Sequence, residues 1–157
     1  MYAKPQAEHE WLHQVLGDWI IEHECTMPDG TVNRTTGKMH CRSLGGMWLI
    51  CESSGHAEES GEWSSIMTVG FDPAKGEFVG TFIGSMMGNI WPYRGQLDES
   101  GKRLPLLSEG PKFTGDGIGQ YRDTIEIVDK DNWNFLSELQ DDDGRWVQFM
   151  TGKHTRA

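Results

Sequence analysis

Apolar positions along the chain keep two different periods. At the start, Trp11, Leu12, Val15 and Leu16 recur at three- and four-residue spacing and form one stripe. Pro5 suits a first-turn position, Glu8 and Glu10 favour the positive end, and Gly17 can end the element, which predicts a short helix over about residues 6–16. From Gly17 onwards the helical period gives way to β-favouring segments separated by turn residues. Trp19, Ile21, His23 and Cys25 share one face, and Pro28-Asp29-Gly30 returns the chain through Thr31 to Arg42. A Leu44-Gly45-Gly46 corner leads into Met47 to Ser53, and Trp63 to Phe71 alternates before the Asp72 to Gly76 turn.

Glu77 to Met87 is apolar on both faces, so its outer side must be covered, by the N-terminal helix or by a second copy in a homodimer; the helix is the preferred cover. Trp91, Tyr93, Gly95 and Leu97 fall on one face, Leu104 to Glu109 is short, and Gly110 to Gly117 reads as a glycine-rich loop at a barrel mouth. Ile118 to Val128, Asn132 to Gln140 and Trp146 to Lys153 are joined by connections that admit only hairpins. The reading is all-β: an antiparallel up-and-down barrel of about ten strands over residues 17–154, closed because closure removes two aggregation-prone edges.

A barrel of about eight strands is just filled by side chains, and each added strand widens the interior, so this one should hold a small ligand. The inward face carries Trp19, Met67, Phe82, Met86, Trp91, Tyr93, Tyr121 and Phe135, rigid aromatics and adaptable thioethers that suit an apolar molecule. In-strand glycines such as Gly70, Gly80 and Gly95 read as bends that let the sheet curl.

Composition narrows the partners. A chain of 157 residues fits one domain with a single core, and no apolar run is long enough to span a bilayer. The net charge of -10 with no basic cluster argues against nucleic acid and against an anionic membrane surface. The N-terminus lacks the apolar stretch of a secretory signal, and three cysteines without C-x-x-C spacing fit a reducing compartment, so a cytoplasmic location is expected.

Gly17-Asp18-Trp19, after a short helix and opening the first strand, resembles the G-x-W start of the lipocalins and their calycin relatives, whose Trp packs across the closed end of the barrel. With Ser43-Leu44-Gly45-Gly46-x-Trp48, Thr68-x-Gly70-Phe71-Asp72-Pro73, Phe78-Val79-Gly80-Thr81, Tyr121-Arg122-Asp123 and Gln140-Asp141-Asp142-Asp143-Gly144-x-Trp146, the chain is similar to bacterial domain-of-unknown-function family 1579 over nearly its whole length. The resemblance implies a lipocalin-like barrel and brings no catalytic residue with it.

Chemistry-bearing groups are sparse. His9-Glu10-Trp11-Leu12-His13 satisfies H-E-x-x-H, but a zincin needs a long buried helix and a downstream third ligand, so a solvated helix face is the expectation. His23, Cys25, His40, Cys41 and Cys51 offer mixed zinc or copper ligands, yet adjacent His40 and Cys41 cannot both point inward, and no metal site is assigned. No cofactor is assigned either, although a histidine such as His154 could hold haem. Asp123 alternates inward with Tyr121; a buried carboxylate needs a partner, which makes an Asp123, Arg122 and Tyr93 anchor for a polar ligand head the leading polar site. The function this supports is binding of a small, mainly apolar molecule. The rivals are a calycin-type isomerase or hydrolase using Asp123 or Glu109 as base, and a homo-oligomeric module.

Overall fold

The computed structural model describes residues 2–157. Ala7–Leu12 forms α1, and the chain then tightens into a 3-10 turn over His13–Val15. The helix is shorter than its apolar stripe because the His13 N–H is shared between the Glu10 and Trp11 carbonyls, which pulls the last turn in before Gly17. Among the described residues ten strands follow: β1 (Gly17–Thr26), β2 (Val32–Leu44), β3 (Trp48–Ala57), β4 (Gly61–Asp72), β5 (Glu77–Gly84), β6 (Trp91–Gly95), β7 (Arg103–Pro111), β8 (Ile118–Asp129), β9 (Asn132–Gln140) and β10 (Trp146–Arg156). Each pairs antiparallel with its sequence neighbours, and β1 pairs with β10, so the sheet closes into a barrel. At the β2–β3 corner Gly45 and Gly46 both hold positive φ, 62° and 76°, a conformation that side chains with a Cβ rarely adopt.

Several local expectations change. β3 runs four residues past Ser53 because its hairpin with β4 keeps pairing to Ala57 opposite Gly61. β5 stops at Gly84, where the Ser85 N–H turns to the Ser64 carbonyl, and β7 extends through Pro111, leaving only residues 112–117 irregular. The helix does not cover the outer face of β5, where Ile83 stays 46% exposed. It plugs one end of the barrel instead: the Trp11 ring meets Phe78 edge-on at 6.2 Å, and its Nε1 donates to the Gly101 carbonyl at 2.7 Å. An open barrel end presents a hole that a single apolar stripe can fill, whereas a sheet wall needs a longer cover.

His9, expected on a solvated face, is 1% exposed. Its Nδ1 accepts the Gln6 N–H at 2.8 Å and its ring stands edge-on to Phe71. With Leu12, Val15, Trp19, Leu49, Val69, Phe78, Leu104 and Ile125, it seals the helix end of the barrel. No helix among the described residues is long and apolar enough to cross a membrane.

Candidate functional site

The helix closes one end of the barrel, so any opening lies where β1 meets β2, β3 meets β4 and β5 meets β6. The inward positions there are small: Asn33 and Thr35 on β2, Ser53 and Ala57 on β3, and Ser65 on β4. Small residues on a barrel wall leave space, and a cavity of about 260 Å³ opens between them. Its walls are Met39, Trp63, Met67, Phe82, Met86, Phe135 and Met150.

The floor is built from rings. Trp133 and His154 stack at 3.7 Å with 15° between their planes. Beneath them Trp19 meets Trp133 edge-on at 6.1 Å, donates its Nε1–H to the Val15 carbonyl at 2.8 Å, and lies 4.2 Å under the Arg156 guanidinium. Trp19 thus braces the cavity from the closed end without lining it.

Trp63 is held against the wall by missing side chains. In register, Trp63 on β4 faces Gly55 on β3, which faces Gly37 on β2. A Cβ at Gly55 would come within 2.7 Å of the indole and one at Gly37 within 2.9 Å, so the two glycines make the trough in which the ring lies. Gly152 does the same for His23, whose ring a Cβ would meet at 2.9 Å.

The other half of the mouth is filled. Trp91 lies over Gly110 and meets Tyr121 edge-on at 4.8 Å, while Phe113 packs on Tyr121 and, at 4.9 Å, on Phe149. The Tyr121 hydroxyl donates to the Pro111 carbonyl. Of the ten residues proposed from sequence, Met67, Phe82, Met86 and Phe135 therefore meet around the cavity, and Trp91 and Tyr121 belong to this plug.

The polar anchor divides. Tyr93 donates a hydrogen bond to Asp123, which Ser137 also serves; Tyr93 is buried in the wall and Asp123 half-buried beside it. Burial pushes the Asp123 carboxyl above the usual carboxylate range, with the two hydroxyls pulling the other way, and burial and the Asp123 charge push the Tyr93 phenol well up. Arg122 lies on the outer face, bidentate to Glu138 at 3.0 Å and 3.0 Å and stacked 4.4 Å over Trp146. Successive strand residues point to opposite faces, so Arg122 and Asp123 do not share an anchor.

His23 and His154, weighed from sequence only as metal or haem ligands, also line the cavity. Burial lowers the His23 pKa to about 4, and burial together with the neighbouring His23 lowers that of His154 to about 3. Both imidazoles are neutral at physiological pH. His154 Nδ1 lies 3.2 Å from the Gly152 carbonyl, which can only accept, so the single proton sits on Nδ1. Among the described residues its Nε2, Trp63 Nε1 and Trp133 Nε1 are buried without hydrogen-bond partners.

Among the proposed metal ligands, His40 turns outward to Asp18 at 2.7 Å, while Cys41 and Cys51 face each other one layer below the cavity with their thiols 2.7 Å apart. Burial and Cys41 push the Cys51 thiol well up, and burial raises Cys25, which lines the cavity. N-ethylmaleimide is expected to modify Cys25 slowly and the other two cysteines only after unfolding, and a ligand in the cavity should slow the Cys25 reaction. Peptide mapping by mass spectrometry reads the sites; rapid labelling of Cys41 or Cys51 in the native protein would contradict this arrangement.

Comparison with known proteins places the chain in context. The model of the family described as "Protein of unknown function (DUF1579)" matches residues 4–156. No curated protein matches the chain. Among solved structures, Rv2717c from M. tuberculosis is similar with a TM-score of 0.71 at 13% identity, covering 98% of this chain and 99% of that one. The S-type phycobiliprotein lyase CPES from Guillardia theta is similar with a TM-score of 0.61 at 10% identity, covering 97% and 93%. At such identities the likeness is one of fold.

Proposed function

The chain belongs to the DUF1579 family of proteins of unknown function, and within it we propose that this member binds a small, mainly apolar molecule inside its half-hollow barrel. The observation that carries this reading is the cavity of about 260 Å³ walled by thioethers and rings, with its two histidines held uncharged. Ordinary core packing leaves few voids larger than a water molecule, and an interior this open costs dispersion contacts along its whole lining. An occupant restores them. The size suits a molecule of one to three rings, at the lower edge of the range of small-molecule sites.

Acid–base catalysis finds less support. The half-buried Asp123 carboxylate is engaged by the Tyr93 and Ser137 hydroxyls, which compete with a substrate for its lone pairs. A general base must reach the proton that it takes.

Native mass spectrometry of freshly purified protein, followed by titration of the tryptophan fluorescence with apolar aromatics, tests the binding function. Trp63 and Trp133 line the cavity, so saturable quenching is expected. Ser65→Leu places a branched side chain in the hollow part of the lumen and should weaken binding about tenfold or more while leaving the barrel folded. Undiminished affinity in that variant would place the ligand elsewhere.

A further inference from the structure

We propose that the occupant is a neutral, planar aromatic molecule bearing a hydroxyl or N–H group, and that His154 Nε2 accepts the hydrogen of that group. The inference rests on the binding function above and names the class of ligand.

Planarity follows from the walls. The floor is a parallel Trp133–His154 stack at 3.7 Å, and Trp63 is kept flat on the wall by Gly55 and Gly37, where any Cβ would collide with the indole. Trp63, Trp133, Phe82 and Phe135 all contribute rings to the lining, which favours a rigid aromatic ligand able to make stacked or edge-on contacts over a flexible chain. The thioethers of Met39, Met67 and Met150 can adjust to the edge of a ring.

Neutrality follows from the lining, which contains no lysine, arginine, aspartate or glutamate. A bound carboxylate, phosphate or ammonium would be desolvated there without a countercharge, and the net charge of -10 on the chain adds to the cost for an anion.

The donor group follows from the orphaned atoms. With the His154 proton committed to the Gly152 carbonyl, Nε2 carries a lone pair, and it is buried without a donor. Leaving such an atom unsatisfied is expensive, so a ligand that supplies a hydrogen there gains more than one that only fills space. The Trp63 and Trp133 Nε1–H groups are likewise buried without partners among the described residues, so acceptors on the ligand are also favoured.

Four probes of one shape test the proposal on the full chain: 2-naphthol, 2-methoxynaphthalene, naphthalene and 2-naphthoate, titrated by fluorescence or calorimetry. 2-Naphthol is expected to bind about tenfold tighter than naphthalene. 2-Methoxynaphthalene, which cannot donate, should gain nothing over naphthalene, and 2-naphthoate should bind more weakly than either. In His154→Phe, which keeps a ring on Trp133, the ratio of naphthol to naphthalene affinity should fall to about one, whatever the absolute affinity for either probe. Equal binding of naphthol and naphthalene, tightest binding of the naphthoate, or a preference that survives His154→Phe would overturn the ligand class while leaving the binding function standing. A failure of all four probes to bind would overturn both. A metal found stoichiometrically in the purified protein and lost from His154→Phe would assign the lone pair to that metal instead. The comparison of naphthol with its methyl ether needs no variant, so the proposal is tested even if His154→Phe does not fold.

Discussion

Between pH 7 and pH 5 the protein is expected to lose on the order of 3 kcal/mol of folding stability. The cause is the histidine pair at the cavity floor. Unfolded, each takes up a proton near its ordinary pKa of 6.5; folded, His23 resists until about 4 and His154 until about 3. Depressed folded values mean that the unfolded chain binds more protons throughout this window, so stability is complete above about pH 6.5 and drains away as pH falls towards the folded values. Asp123 acts in the opposite direction: its raised folded pKa favours the native state as acid is added, and this offsets part of the loss. Urea unfolding midpoints measured across pH 5–8 read the net effect. Replacing His23 and His154 with leucine should flatten the slope, and a wild-type midpoint unchanged from pH 7 to pH 5 would mean that the two imidazoles are not buried as described.

Trp19→Ala is expected to cost about 3–5 kcal/mol. Its ring is 1% exposed and stands between three partners: the Val15 carbonyl that accepts its Nε1–H, the edge-on Trp133, and the Arg156 guanidinium above it. Truncation opens a hole under the floor and leaves a buried carbonyl without its donor. Trp133 then loses its brace, so the stack with His154 should loosen and ligand affinity should fall together with stability. Trp19→Phe keeps much of the packing but not the donor, and should fall between the two. Denaturation paired with probe titration checks both readouts; a loss below about 1 kcal/mol would show that Trp19 does not support the floor.

The barrel was legible in the sequence because two signals agreed. The two-residue rhythm fixed which side chains face inward, and turn residues such as Asp72-Pro73-Ala74-Lys75-Gly76 set each reversal. Alternation states which face a residue takes, but not which side of the lumen is hollow. Reasoning from greasiness selected Trp91 and Tyr121, and these bulky rings fill space. The hollow lies opposite, beside Ser53, Ala57 and Ser65, where small inward residues were the unread signal. The trough under Trp63 needed the register of three strands, which aligns Trp63, Gly55 and Gly37 only once the hairpins are set. Arg122 is a different case: its adjacency to an inward Asp123 already placed it outside. The burial of His9 and the end-on docking of the helix were not legible, because an apolar stripe specifies a contact area and not the surface that receives it.

The pairing of β1 with β10, with Trp19 opposite Arg156, bears on biosynthesis. The ten-stranded circuit is completed by pairing the barrel's first strand with its last, so a nascent chain carries an unzipped margin on β1 until β10 has been made. Contacts of such long sequence separation make for slow folding. While it waits, that exposed margin is the place where a chaperone would engage the chain and where two unfinished copies would first stick to each other.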